Sequence, residues 1–455
     1  MRRSHVILAA GLAGTVATLS VNAQETQRTV TTARIASDLE FNDNFNLRND
    51  SAGDSVLWNT TIGAGLRSRT LVDRFAFDAS GVLRVADLPG SGTEASADNP
   101  IVSLAYDRAV DDSAVGFSIV GQRADLDFFD PLRDLNEDGS FDDTVGGGTR
   151  NSVRLRANFA LNADGPVSLT GVGRISDISF EDTTDPDLND RRNAALALEA
   201  GFRLSPILRL TTGASAGRED IDDDAETERR RWRGDVGFVG RVNQRTTLTA
   251  RIGYSRVDTD RTSGDETQEG VVGDLRLVFD ERRGQTSLSF GTTLDENGER
   301  YTLSFGRSLA WDNAQINASL GVSTSADTDL RAVGNIDYQL SGRDTRVTFG
   351  LSQGATTDED GRNVLNTNAL AQIERLLTRT SSIGLTVEGG LQRVDDDSDD
   401  TTERLNVTAR YSHSLTEDWS ANVGYRYRYR SDQANGEASS NAVFAGVART
   451  FQASR

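Results

Sequence analysis

The chain has 455 residues, a formal net charge of −20 and no cysteine, and all its basic residues other than histidine are arginine. The missing cysteines exclude a disulfide framework, a thiol nucleophile and a zinc–thiolate site. The acidic balance argues against nucleic acid as a partner, and no apolar run approaches the roughly 20 residues of a membrane-spanning helix. A polar, acidic chain is often disordered, but regular alternation in nearly every segment argues against disorder here.

The first 23 residues have the pattern of a secretory signal peptide. Two arginines precede an apolar run from Val6 to about Leu19, and a stretch of small residues ends at Ala23. This pattern predicts export by the general secretory route and cleavage after Ala23. The remaining residues, 24–455, are expected to form one domain.

From Thr29 onward, the chain consists of short runs in which apolar and polar residues alternate. In Trp419–Tyr429, the odd positions carry Trp, Ala, Val and three Tyr, whereas the even positions include Arg426 and Arg428. Successive side chains of a strand point to opposite faces, so each run predicts a strand with one apolar and one polar face. We count about 22 such runs, within a range of roughly 16–22, because the runs Ile101–Tyr106 and Val347–Leu351 are short.

Two kinds of connector alternate along the chain. Short joins alternate with connectors that are mostly longer and acidic, which include Asn42–Asp54, Leu88–Pro100, Asp125–Gly148, Glu181–Asp190, Glu219–Glu228, Asp258–Glu266 and Asp395–Glu403. Tight turns that alternate with long polar loops are typical of outer-membrane barrels, whose turns face the periplasm. The predicted fold is therefore all-β: a transmembrane antiparallel up-and-down β-barrel with short periplasmic turns and long acidic external loops.

The end of the chain alternates once more and stops on Phe451, close to the C-terminus. With this feature, the mature chain resembles the bacterial outer-membrane β-barrel proteins, and it is similar in general appearance to β-barrel porins, some of them linked to exopolysaccharide export. The resemblance implies an assembly signal at Gly446 and Phe451, from which Arg449 departs. It also implies three partners: the barrel-assembly machinery, outer-membrane lipid and lipopolysaccharide.

The polar face of the predicted strands would line a lumen. By the parity of each run, this face holds the arginines Arg84, Arg154, Arg156, Arg174, Arg203, Arg233, Arg251, Arg276, Arg410, Arg426, Arg428 and Arg430. It also holds Asp78, Glu199, Asp235 and Asp274. An arginine wall favours anionic or sugar-like solutes; alternatively, the arginines only pair with the inward acids and form a polar lining.

The longest predicted loop, Asp125–Gly148, contains candidates for a constriction and for a metal site. In general porins, the third external loop folds into the lumen, and by this resemblance the acids that would face the arginine wall are Asp125, Asp127, Asp130 and Glu137. Opposed charges of this kind would select solutes by charge; a solvated loop is the alternative. The spacing of a calcium loop occurs at Asp134, Asn136, Asp138 and Asp142, although Val145 replaces the final acid. Ca²⁺ is the one cofactor that the sequence suggests.

These features predict a passive outer-membrane channel for small hydrophilic solutes, anionic ones among them. The alternatives are a conduit for exopolysaccharide export and a structural surface barrel without conductance. Enzymatic activity is not expected, since His413 is the one histidine of the mature chain and lies on an apolar face. A gated iron or cobalamin transporter would share the strand number, and Thr29–Arg34 faintly resembles the energy-coupling segment of that class. Such proteins, however, carry a plug domain before the barrel.

Overall fold

The computed structural model describes residues 28–90, 92–128, 147–183, 185, 188–325, 328–357, 362–394, 401–432 and 436–454. The predicted signal peptide lies outside these residues. The first eleven strands are β1 (Arg28–Asn42), β2 (Ser55–Arg69), β3 (Asp73–Leu88), β4 (Gly92–Val110), β5 (Ser113–Asp125), β6 (Thr149–Leu161), β7 (Val167–Glu181), β8 (Arg191–Ser205), β9 (Leu208–Ile221), β10 (Glu228–Asn243) and β11 (Thr246–Arg261).

The second eleven strands are β12 (Gly264–Glu281), β13 (Gly284–Asp295), β14 (Gly298–Ala310), β15 (Ala314–Ser325), β16 (Thr328–Ser341), β17 (Thr345–Thr357), β18 (Asn363–Leu376), β19 (Ser381–Val394), β20 (Thr401–Ser414), β21 (Trp419–Asp432) and β22 (Gly436–Ser454). A 3₁₀ turn, Leu126–Phe128, follows β5. Among the described residues, no helix is long and apolar enough to cross a membrane.

The strands form one closed antiparallel sheet. Each strand pairs with the next one along the chain, and β22 pairs with β1 over thirteen residue pairs, from Val30–Ser454 to Asn42–Ala442. Closure leaves no free sheet edge. A sheet in lipid must be closed in this way, because unpaired backbone groups cannot be left in contact with hydrocarbon. The predicted all-β antiparallel barrel and its 22 strands are confirmed.

The outer face of the barrel is apolar and exposed. Ile62, Val236 and Ile252 are 47%, 58% and 60% exposed, and they alternate along their strands with residues of the inner face. The four tryptophans, Trp58, Trp232, Trp311 and Trp419, are also exposed. A continuous apolar surface of this kind suits contact with lipid and not with water.

Two of the predicted long loops are largely strand, and these predictions were wrong. β3 ends at Leu88 and β4 begins at Gly92, and β11 and β12 leave only residues 262–263 between them. Pro100 lies inside β4, near the register shift between Ser80 and Val82 of β3, and irregular positions of this kind tolerate proline. The acids of these segments stand on extended strand ends, where ion pairs such as Arg256–Asp258 (2.8 Å) hold them.

Arg307 points outward from β14, although its neighbours on that face are apolar. Its guanidinium donates to Glu281 Oε2 (2.7 Å) and to the hydroxyl of Thr286. Both partners flank the turn at residues 282–283, so the charge lies at the edge of the apolar band and is paired there. The barrel therefore avoids the cost of an unpaired charge at the membrane centre, about 2–4 kcal/mol.

The closing seam contains the predicted assembly residues. Gly446 faces Asp38 of β1, and a Cβ at Gly446 would lie 2.9 Å from the carbonyl oxygen of Ser37. The close approach of the two backbones therefore requires a residue without a side chain at this position. Phe451 points outward and is paired with Ala33 of β1.

Arg449 also points outward, although the strand pattern calls for an apolar residue there. Its guanidinium carbon lies 4.3 Å from the ring centroid of Phe451 and 5.3 Å from that of Trp419. Aromatic faces attract a cation at these distances, and a long arginine stem can cover apolar surface while its charge stays near the interface. The two rings therefore accommodate the residue that departs from the usual pattern.

Candidate functional site

The inner face of the barrel is polar and rich in arginine. Because side chains alternate along a strand, positions between the outward apolar residues point into the lumen. The twelve arginines predicted for the lumen all occupy such positions: Arg84 on β3, Arg154 and Arg156 on β6, Arg174 on β7, Arg203 on β8, Arg233 on β10, Arg251 on β11, Arg276 on β12, Arg410 on β20, and Arg426, Arg428 and Arg430 on β21. The structure does not bring them together in one site.

Arg84 is held within a network beside the seam. Its Nε donates to Asn59 Oδ1 (2.8 Å), and its Nη1 lies 3.2 Å from Asp98 Oδ2. The Arg84 side chain is only 7% exposed. A buried guanidinium that is already paired offers little charge to a solute.

The arginines of β21 are also largely engaged. Arg426 Nη1 lies 3.5 Å from Glu40 Oε2, and Arg430 Nε lies 3.2 Å from Asp432 Oδ2. Arg426 and Arg410 both stand over the inward ring of Phe444, at 5.6 Å and 5.5 Å from its centroid. This part of the wall is a packed and ion-paired lining.

The first long connector, residues 43–54, folds over the mouth of the lumen. Arg428 Nη2 donates to the carbonyl oxygen of Phe45 (2.6 Å), and the Arg428 guanidinium lies 5.7 Å from the Phe45 ring. The Phe45 ring lies 6.1 Å from that of Phe128, whose face carries the guanidinium of Arg84 at 3.9 Å. Leu47 is fully buried. The connector and the turn after β5 thus meet across the strands between β21 and β5.

The sequence prediction missed Phe45 and Phe128, although one signal was present. Both lie in acidic connectors that also contain other apolar residues, such as Leu47 and Phe129. Apolar residues in an acidic connector bury their area only if the connector folds inward. Of the predicted constriction acids, the structure describes Asp125 and Asp127, at the rim. Burial raises the pKa of Asp125, to which the nearby Asp127 and Asp98 charges add.

A second group of lumen charges lies on β8, β10 and β11. Arg251 Nη2 donates to Glu199 Oε2 (2.6 Å), and its Nη1 lies 3.8 Å from Asp235. Arg233 Nε is 3.4 Å from the same carboxylate of Asp235. Two arginines and two acids therefore neutralise each other on this wall.

The tip of the β13–β14 hairpin, at residues 296–297, joins distant strands at the rim. Glu296 accepts hydrogen bonds from Arg229 of β10 and from Arg261 of β11, the latter at 2.9 Å. On the other side, Arg300 Nη2 donates to Asn363 Oδ1 of β18 (2.8 Å). The tip itself contacts β17, where Asn297 Nδ2 donates to Thr357 Oγ1 (3.5 Å). A tip that contacts both β10 and β17 must lean over the lumen, so it narrows the mouth opposite the first connector.

Arg156 and Arg174 differ from the ion-paired arginines of the lumen. Arg156 on β6 and Arg174 on β7 are direct cross-strand partners of each other, and both are exposed to the lumen. Within the part of the chain that the structure describes, neither contacts an acid. Like charges directly opposite each other destabilise a strand pair. This pair is therefore a place on the wall where a bound anion would offset repulsion.

The remaining predicted residues stand apart. Arg203 lies near the turn side, 3.8 Å from Asp164, and Arg276 shares the inner face of β12 with Asp274. The other predicted constriction and calcium residues lie outside the described residues: Asp130, Glu137, Asp134, Asn136, Asp138 and Asp142. Within the described ranges, no cluster of three or more histidine, cysteine or acidic residues could hold a metal ion.

The fold defines the class as a closed 22-stranded outer-membrane β-barrel. No protein-family model matches the sequence, and no curated protein is detectably similar to it. Solved structures, however, share the fold. An iron transporter from Neisseria meningitidis, FrpB (F3-3 variant), is 10% identical with a TM-score of 0.59, and the match covers 92% of this chain and 81% of the other.

Two receptors are similar to the same degree. The ferric-catecholate import receptor Fiu from E. coli K12 is 9% identical with a TM-score of 0.57, over 92% of this chain and 81% of its own. A ferric enterobactin receptor from Pseudomonas aeruginosa, PfeA, is 10% identical with a TM-score of 0.54, over 93% and 81%. These proteins support the outer-membrane barrel class and not a porin in particular. The segment Thr29–Arg34 lies within β1 and pairs with β2 and β22, so here it is part of the barrel wall.

Proposed function

We propose that this protein is an outer-membrane transport barrel whose lumen prefers anionic hydrophilic solutes. The observation that carries the proposal is the exposed pair Arg156 and Arg174, which face the lumen side by side without an acid beside them in the described structure. Most other lumen arginines are neutralised by neighbouring carboxylates. Arginine on a pore wall favours anions, and it binds carboxylate and phosphate groups through paired hydrogen bonds.

The strand count favours passage over a purely structural role. Twenty-two strands tilted by roughly 40° and spaced by about 4.8 Å enclose a ring about 40 Å across. The first connector and the β13–β14 tip narrow this ring from two sides at the mouth. A wide polar interior below a narrowed mouth suits the controlled passage of hydrophilic solutes.

Replacing Arg156 and Arg174 together with serine is expected to reduce anion preference. In planar bilayers with a salt gradient, the ratio of anion to cation permeability should fall by roughly two-fold or more. The physical reason is that the double variant removes two exposed and adjacent lumen charges that no described carboxylate contacts. The reversal potential of the open channel is the quantity to measure.

The matched control is Arg192→Ser with Arg230→Ser, which removes two arginines from the outer face. Both are exposed and ion-paired there, with Asp177 and Glu228. This control should leave the reversal potential unchanged. A wild-type channel that prefers cations, or equal shifts in both double variants, would contradict the proposal.

Uptake of ferric chelates is the second candidate, and the likeness to iron transporters and receptors favours it. Ferric enterobactin is a suitable probe, since one similar structure contains enterobactin. Saturable quenching of tryptophan fluorescence at low ferric enterobactin concentration would support this candidate. Absence of binding by a folded barrel with anion-selective conductance would support the first.

A further inference from the structure

The lumen wall formed by β13 to β19 differs from the arginine wall. One row of consecutive cross-strand partners runs through all seven strands and contains no charge. Its members are Ser287, Gly306, Ser319, Asn335, Ser352, Asn368 and Gly390. The row presents hydroxyl and carboxamide groups to the lumen, separated only by glycine.

A second uncharged row lies nearer the turn side. It consists of Gln315, Gln339, Thr348, Gln372, Thr386 and Thr408, and it ends at Arg426. The row of cross-strand partners that lies between these two rows contains Asp337 and Glu388. Each accepts a hydrogen bond from an amide beside it, Asn335 Nδ2 at 2.7 Å and Asn406 Nδ2 at 3.1 Å. Hydroxyls and amides therefore dominate this part of the wall, which we call the amide–hydroxyl strip.

The strip lies across the lumen from the unpaired arginines. β18 follows β7 by eleven strands, which is half of the 22-stranded ring. Asn368 on β18 and Ser352 on β17 are direct cross-strand partners. The lumen thus has one wall that attracts anions and an opposite wall on which hydroxyls and amides predominate, with the carboxylates of Asp337 and Glu388 each held by an amide.

The chemistry of the two walls together restricts the solute. Hydroxyls and amides can donate and accept with the hydroxyl groups of a sugar, whereas the arginine pair requires an acidic group to offset its repulsion. A small inorganic anion uses only the arginines, and a neutral sugar uses only the strip. Because the ring is about 40 Å wide, a solute that touches both walls must be extended or bulky.

From this arrangement, and resting on the proposed function, we propose that the solute is an acidic oligosaccharide or polysaccharide. Its acidic groups would contact Arg156 and Arg174, and its hydroxyls would contact the amide–hydroxyl strip. Specificity arises because a site built to hydrogen-bond hydroxyl groups disfavours a ligand that lacks them. A free acidic oligosaccharide and a longer acidic polysaccharide that passes through the barrel carry the same acidic and hydroxyl groups.

The test uses current block in single channels of the chain of residues 24–455, which omits only the predicted signal peptide. Three probes of matched length are added in turn: oligogalacturonate, an uncharged maltooligosaccharide and oligoglutamate, which is acidic but has no hydroxyls. Oligogalacturonate is expected to block at roughly ten-fold lower concentration than either of the others. Equal block by oligoglutamate would overturn the hydroxyl requirement, and equal block by the maltooligosaccharide would overturn the acid requirement.

The variant that isolates the strip is Ser352→Ala with Asn368→Ala. Both side chains face the lumen, and their removal breaks no described hydrogen bond. The double variant should weaken block by oligogalacturonate about ten-fold, with conductance and reversal potential in KCl unchanged. A block that stays at the wild-type level would overturn the inference while leaving the anion-preferring channel intact. A wild-type channel that shows no preference for anions would instead contradict the proposed function.

Discussion

Replacing Glu296 with alanine is expected to lower the free energy of unfolding by about 2–3 kcal/mol, because hydrogen bonds between buried charged groups are lost. The carboxylate is 5% exposed and accepts hydrogen bonds from Arg229 and Arg261. The Arg229 side chain is equally buried, so alanine leaves a buried guanidinium with Glu219 as its remaining acid partner. The measurement is the midpoint of urea unfolding in lipid vesicles, followed by tryptophan fluorescence.

Glu181→Ala is the matched control for Glu296→Ala. Glu181 also lies at the rim and forms an ion pair with Arg123, at 3.8 Å, but the two side chains are 56% and 59% exposed. Exposed pairs contribute at most about 1 kcal/mol, so the control should unfold almost as the wild type does. If both variants lost a similar amount of unfolding free energy, the buried ion pair would not be what stabilises the position of the hairpin tip.

Shortening the first connector is expected to raise single-channel conductance about two-fold. In this variant, two glycines replace residues 44–52. The change removes Phe45 and Leu47, and with them the contact between Phe45 and Arg428 that holds the connector over the mouth. A wider mouth lowers the access resistance, so the current through each open channel increases.

Asn46→Ala is the control within the same connector, because Asn46 is exposed. It should conduct like the wild type. Resistance to unfolding by SDS in the cold shows whether the shortened variant is still a folded barrel. If the folded variant has wild-type conductance, the first connector does not restrict the mouth.

Strand number and side-chain parity were predictable because they follow from local alternation. Trp419–Tyr429 shows this, since its tyrosines point outward and its arginines inward, as a period of two requires. Strand ends were less predictable. The segment Leu88–Pro100 is acidic, small and contains two prolines, yet β4 begins at Gly92, because the partner strand β3 supplies hydrogen bonds that composition does not reveal.

The mouth of the lumen could not be predicted from the sequence. Glu296 and Arg229 are 67 residues apart, and their contact depends on the lean of a whole hairpin. The pairing of Arg307 with Glu281 depends on the register of β13 with its two neighbours. The same holds for Arg156 and Arg174. That no described acid contacts them depends on the register of β5 to β8, which the sequence does not reveal.

The single-channel current of the refolded wild-type protein in a planar bilayer, under a KCl gradient, tests the central claim most directly. An anion-preferring transport barrel predicts discrete current steps with a reversal potential of the sign set by chloride. A folded barrel that gives no steps, or steps whose reversal potential has the sign set by potassium, would contradict it.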